Sequence, residues 1–206
     1  MPEIGLFPLA LVLVPTERVP LHIFEPRYKE LVGECLTEGR EFGLVLEDEN
    51  GRRDVGTLAA VIEVLQVFDD GRMNVVVEGR DRFRVVELTD GRSFPTGDVE
   101  SLDDEDDEPP EPAAVERAMT LFRRLAEVAE ADVDEPEGAP ELLSFELAAR
   151  VDFGLDLKQE LLELRSEHRR IMRLAELLET AIEAVARERE VRERASGNGR
   201  VSPRQD

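Results

Sequence analysis

Along the first ninety residues the apolar positions come in short runs with the period of strands, and beyond residue 113 they recur with the period of helices. Residues 4–9 and 11–14 are apolar runs broken by Pro8 and Pro15. Proline removes a ladder donor, so both predict edge-like or bent strand pieces. Residues 19–24 form a third run. Pro26 then opens a helix to about Glu38: proline is tolerated in a first turn, and Tyr28, Leu31, Val32, Cys35 and Leu36 recur on one face. Gly39 stands where a glycine cap would close it. From Glu41 the strand period returns over 42–46, 55–68, 73–77 and 83–88, punctuated by Asn50-Gly51, Asp70-Gly71 and Gly79. Such closely spaced strands predict hairpins wrapped into a small barrel. In Arg80-Asp81-Arg82-Phe83-Arg84 charge alternates with apolar residues, and the arginines are read as the outward face of a strand.

The helical half starts at 113–131, where Val115, Met119, Phe122, Leu125 and Val128 share a face. Shorter helices follow over 142–151 and 155–164. Ser166 is placed to cap a final helix carrying Ile171, Leu174, Leu178, Ile182 and Val185. The expected class is therefore α+β: a β-rich unit with one helix over 1–97, a linker over 98–112, a helical bundle over 113–190 and a disordered tail over 191–206. The linker reading rests on nine carboxylates between Asp98 and Glu111, followed by Pro109, Pro110 and Pro112. Like charges and prolines oppose compaction.

Charge sharpens this picture. The 206 residues hold 26 Lys+Arg against 48 Asp+Glu, a net charge of −22. Most of the excess lies in 98–141, where 17 acidic residues face 3 basic ones. Such a chain repels phosphate backbones at long range, which argues against nucleic-acid binding. No apolar run approaches the roughly 20 residues that span a membrane. Met1-Pro2-Glu3 lacks the basic start of a secretory signal, so no membrane partner and a cytoplasmic location are expected. A single cysteine, Cys35, and two distant histidines, His22 and His168, predict no disulfide, no metal site and no cofactor.

The N-terminal run carries a resemblance. Leu6-Phe7-Pro8-Leu9, then Pro20-Leu21-His22-Ile23-Phe24-Glu25-Pro26-Arg27-Tyr28, resembles the opening signature of the Lon protease substrate-binding (N-terminal) domain family. Phe42-Gly43, Val55-Gly56-Thr57-Leu58-Ala59, Arg80–Val85 and Lys158-Gln159-Glu160-Leu161-Leu162-Glu163 resemble its later blocks, in order, over roughly residues 4 to 185. One departure is local: Val14-Pro15-Thr16 stands where the family often has an aromatic-Pro-Gly turn, and threonine disfavours positive φ. The resemblance implies a PUA-like β pseudo-barrel followed by a helical bundle. It also implies a role in recognising unfolded or damaged protein, as a stand-alone module of protein quality control.

The chemistry of full Lon enzymes is missing. No G-x-x-x-x-G-K-[ST] phosphate loop occurs, and Lys29 and Lys158, the only lysines, follow no such loop. Ser144 and Ser166 read as helix-start residues, not as members of a Ser–Lys dyad. The chain is thus expected not to be an enzyme. The candidate contact residues are His22, Phe24, Glu25, Arg27 and Tyr28, which cluster within seven positions. Their structural reading is that Leu21, Ile23 and Tyr28 pack while Glu25 and Arg27 fix a strand-to-helix corner. Expected partners are apolar polypeptide segments, bound at a cleft between barrel and bundle. The alternative is a structural or adaptor module that pairs with another protein or with its own copy.

Overall fold

The computed structural model describes residues 3–105 and 108–197. Six strands, β1 (Glu3–Leu9), β2 (Arg18–Ile23), β3 (Phe42–Asp48), β4 (Gly51–Val67), β5 (Met73–Thr89) and β6 (Thr96–Ser101), form one sheet in the order β2-β5-β4-β3-β1-β6. Helix α1 (Pro26–Glu38) lies between β2 and β3 in the chain. Helices α2 (Pro112–Ala129), α3 (Leu143–Ala148), α4 (Leu155–Glu163) and α5 (Glu167–Gly197) follow the sheet.

The expected pseudo-barrel is corrected to an α+β fold with a mixed sheet that is not a closed barrel. Successive hairpins would pair every strand antiparallel, but β1 and β3 run parallel. β6 pairs with β1 and also with the second half of β5. Among the described residues β2 has a single neighbour, β5. β3 covers β4 only from Gly51 to Ala59, so 60–67 are paired on the β5 side alone among the described residues. The sheet therefore keeps edges.

Local signals explain most elements. Helix α1 starts at Pro26 and ends on Gly39, which adopts the left-handed φ of 64° that a Cβ resists. Its buried face, Tyr28, Leu31, Val32 and Cys35, packs on Phe7, Ile23, Phe42, Val75 and Val77 of the sheet. Ser166 accepts the amide of Arg169 at 3.1 Å and so caps α5.

Other elements differ from expectation. Residues 11–14 are not a strand; Val12, Leu13 and Val14 are buried as an irregular segment. Gly79 does not end a strand: β5 runs through it, and a Cβ there would stand 2.1 Å from the Val14 carbonyl oxygen, so the glycine admits the crossing chain. Thr16 does adopt a positive φ, 70°, and its amide donates to the Gly79 carbonyl at 2.8 Å. Residues 96–101, read partly as linker, form β6: 96–98 pair with β1 and 96–101 with β5, which buries Thr96 and Val99 and leaves Glu100 exposed. The backbone of 191–197, expected to be disordered, continues α5, and the rest of that expected tail lies outside the described residues.

A core of Val12, Val14, Leu46, Val55, Leu102, Phe145 and Leu162 joins the sheet to the helices, while Phe122, Leu147, Leu161, Ile171 and Leu174 anchor the bundle itself. Two polar ties reinforce the joint from α4: Lys158 pairs with Glu17 at 2.5 Å, and the Gln159 amide donates to the Val55 carbonyl at 3.2 Å.

Candidate functional site

Alternation on β2 sends Leu21 and Ile23 into the core and leaves His22 outside. His22 Nδ1 donates to Asn74 Oδ1 at 2.6 Å, on the neighbouring strand. The imidazole stacks on Phe24, with centroids 5.9 Å apart, and meets Phe68 edge-on at 6.1 Å. Phe24, at 59% exposure, lies on the surface. Glu25 and Arg27 turn to each other, Arg27 Nε donating to Glu25 Oε2 at 2.9 Å. The Arg27 guanidinium sits 4.5 Å over the ring of Tyr28, which is buried and stacked on Phe7 at 4.0 Å. Burial raises the Tyr28 phenol above its ordinary pKa, against the pull of Arg27 and with a further push from Glu25 and Glu47. The five motif residues therefore divide. His22 and Phe24 face outward, Glu25 and Arg27 form an exposed pair, and Tyr28 belongs to the core.

What His22 and Phe24 join was not visible in the motif. They lie at the end of the sheet where the β4–β5 arm projects. On that arm Ile62, Val64, Leu65 and Val67 are all exposed, Leu65 at 53% and Val67 at 65%. A strand with strict alternation would hide half of them. Register shifts between Val61 and Glu63 and between Val64 and Gln66 interrupt the alternation, so apolar side chains emerge on more than one side. The turn beyond is firm: Arg72 bonds Asp70 through its amide at 3.1 Å and its Nε at 2.7 Å, and Lys29 Nζ on α1 donates to the Asp70 carbonyl at 2.9 Å. Those Arg72 contacts hold the Asp70 carboxyl below its ordinary value. The sequence did carry a signal here, because residues 61–68 are apolar at six of eight positions. It did not reveal that no strand would cover them.

A concave region, a cleft of about 450 Å³, lies between sheet and helices, lined by Pro15, Thr16, Arg80, Asp103, Glu141 and Phe145, among others. It is built on paired charge. Arg82, expected to face solvent, is buried: the bundle covers the side of β5 from which it projects. Its Nη1 donates to the carbonyls of Leu162 and Leu164 at 2.8 and 2.7 Å, satisfying oxygens at the C-terminal end of α4. Arg170 on α5 is fully buried and donates through Nη1 and Nη2 to Asp104 at 2.6 Å each. Arg82 also donates to Asp104. Glu167 Oε2 accepts from Arg170 at 2.8 Å, and Ser144 donates to Glu167 through its amide at 2.9 Å and its hydroxyl at 2.5 Å. The two guanidiniums flank the ring of Phe145 at 5.1 and 4.3 Å. Burial pushes the Asp104 carboxyl up, but Arg170 and then Arg82 outweigh it and hold it below its ordinary value. Ser144 is thus an interior partner of Glu167, with no lysine beside it.

Cys35 is buried on the core face of α1, and burial pushes its thiol up to about 11, against the pull of Arg40. Among the described residues no group of three or more His, Cys, Asp or Glu side chains is arranged to hold a metal ion. Among the same residues no helix is long and apolar enough to cross a membrane.

Residues 3–180 match the model of the ATP-dependent protease La (LON) substrate-binding domain. Similar proteins include Lon protease 1 of Hydrogenovibrio crunogenus, 26% identical over 98% of this chain and 26% of its own length. Lon protease of Solibacter usitatus is 30% identical over 68% of this chain and 18% of its own length. The chain thus spans about a quarter or less of these relatives. Among solved structures, a Lon N-terminal domain protein from Xanthomonas campestris superposes with a TM-score of 0.63 at 26% identity, covering 84% of this chain and 97% of that one. The N-terminal domain of Mycobacterium avium complex Lon protease shares the fold, with a TM-score of 0.60 at 13% identity over 86% of this chain and 98% of that one.

Proposed function

The chain belongs to the Lon protease substrate-binding domain family, and from that premise we propose that it binds apolar segments of unfolded polypeptides at the projecting end of its sheet. It corresponds to the non-catalytic N-terminal region of Lon proteases and not to their ATPase or protease modules. The observation that carries the location is the exposed row Ile62, Val64, Leu65 and Val67, continued by Phe24, with His22 and Phe68 beside it. An apolar patch left uncovered on a folded surface marks an interaction site. The junction cleft is the weaker place, because Arg82, Arg170 and Asp104 saturate one another in its lining, with Glu167 holding Arg170 from behind. His22, Phe24, Glu25 and Arg27 then border the contact surface, while Tyr28 supports it from the core. We further read the protein as cytoplasmic and as working beside protein quality control.

Photo-crosslinking to an unfolded model protein tests this reading. Crosslinks concentrated on 62–68 and Phe24, and reduced by Leu65→Asp together with Val67→Asp, are the expected result. Labelling spread evenly over the surface, or unchanged in that double variant, would refute it. The adaptor reading predicts instead a concentration-dependent mass in sedimentation and indifference to unfolded chains.

A further inference from the structure

The exposed row lies on a strand that has lost its neighbour. β3 pairs with β4 only as far as the Phe42–Ala59 couple, whereas β4 continues to Val67. On the side away from β5, the N–H and C=O groups of residues 60–67 meet no strand among the described residues. At about 3.3 Å per residue this edge is about 25 Å long. It therefore offers main-chain hydrogen bonding and apolar side chains along the same line. Resting on the reading above, we propose that the bound polypeptide adds to this edge as an extended strand, and that the preferred segments alternate apolar with polar residues and carry a basic residue at an end.

Three observations choose this occupant. First, the backbone edge is indifferent to side-chain identity, so it suits a ligand recognised for being unfolded; strand addition draws affinity from main-chain bonds and selectivity from alternate side chains. Second, Glu63 stands within the row and Asp69 just beyond its end, exposed carboxylates without an ion-pair partner among the described residues, on a chain of net charge −22. A lysine or arginine in the segment finds its counter-charge there. Third, the two register shifts at Ile62 and Leu65 bend the edge. Bulges of this kind hinder pairing with a rigid, straight strand of another folded protein, whereas an unfolded segment follows the bend. A second copy is opposed twice, by the bent edge and by meeting the same carboxylates with the same negative charge.

The test uses the full chain and a fluorescent decapeptide of alternating valine and threonine with a lysine at each end. Two further peptides carry N-methyl groups on the even or on the odd backbone nitrogens, which keeps every side chain while deleting the donors on one edge. Fluorescence anisotropy should show the parent peptide bound, one methylated peptide weakened by about tenfold or more, and the other within about twofold of the parent. Parent and both methylated peptides binding equally would overturn strand addition while leaving the apolar-surface reading intact. A parent peptide that does not bind, together with no capture of the unfolded model protein, would overturn both. A dimer in sedimentation that Leu65→Asp dissolves would assign the edge to a second copy and refute the proposal.

Discussion

Replacing Asp104 with alanine removes the one carboxylate that Arg82 and Arg170 share among the described residues. Three charge-assisted hydrogen bonds end on it: two from Arg170 at 2.6 Å and one from Arg82 Nη2. Arg170 is fully buried and the Arg82 side chain is 5% exposed, so neither cation regains bulk water when its partner disappears. Each keeps other acceptors: the carbonyls of Leu162 and Leu164 for Arg82, and Leu164, Ser144 and Glu167 for Arg170. Breaking a fully buried ion pair costs about 3–5 kcal/mol. Asp104 is 31% exposed, which admits some screening, so the lower end, about 3 kcal/mol, applies. For a chain of this length that corresponds to a fall in Tm of about 6–12 °C. Urea unfolding followed by circular dichroism should show a lower midpoint at an unchanged slope. The pH dependence has a definite sign. The folded Asp104 carboxyl lies below its ordinary value, so its contribution is complete above the unfolded carboxylate pKa of about 4 and is lost as pH falls through the lower, folded one. The gap between the parent and Asp104→Ala should therefore be constant near neutrality and close in acid. A destabilisation below about 1 kcal/mol at pH 7, or a gap that widens as pH falls, would refute the view that Asp104 holds the two arginines.

Other substitutions probe single features. Thr16→Gly should raise stability by about 0.5–1 kcal/mol, because it relieves a positive φ in a β-branched residue and gives back only part of that through a freer unfolded chain; unchanged or lower stability in urea argues against strain at that turn. Gly79→Ala should cost about 2 kcal/mol or more by driving a methyl into the Val14 carbonyl, and a neutral result would mean that the crossing segment yields. Cys35 should resist iodoacetamide at pH 8 in the folded protein and react once urea unfolds it, as its buried thiol titrates near 11; rapid alkylation of the native chain would contradict this burial.

Much of the architecture was legible from local chemistry. Pro26 and Gly39 bounded α1 because a proline at the start and a left-handed glycine at the end act within one turn of the helix. Tyr28, Leu31, Val32 and Cys35 declared their face through helical spacing, and Ser166 declared the start of α5. The ordered blocks pointed to the family that residues 3–180 match, and missing phosphate-loop and dyad residues could be read directly, since such chemistry needs particular side chains at particular spacings.

Tertiary structure decided what depends on neighbours. A period of two says that Arg80, Arg82 and Arg84 alternate with their flanking residues; it does not say that helices cover Arg82 and leave Arg80 and Arg84 in water. Gly79 reads as a breaker until the Val14 carbonyl is seen against it. The acidic residues of β6 suggest a solvated linker until β1 and β5 supply partners on both sides. The exposed end of β4 is the same kind of case. Its valines, leucine and isoleucine read as part of a long strand, and only the register of β3, whose pairing with β4 ends at Ala59, leaves them and their backbone edge open. Side-chain period is a property of one strand, whereas burial and edge pairing are properties of the strands and helices beside it.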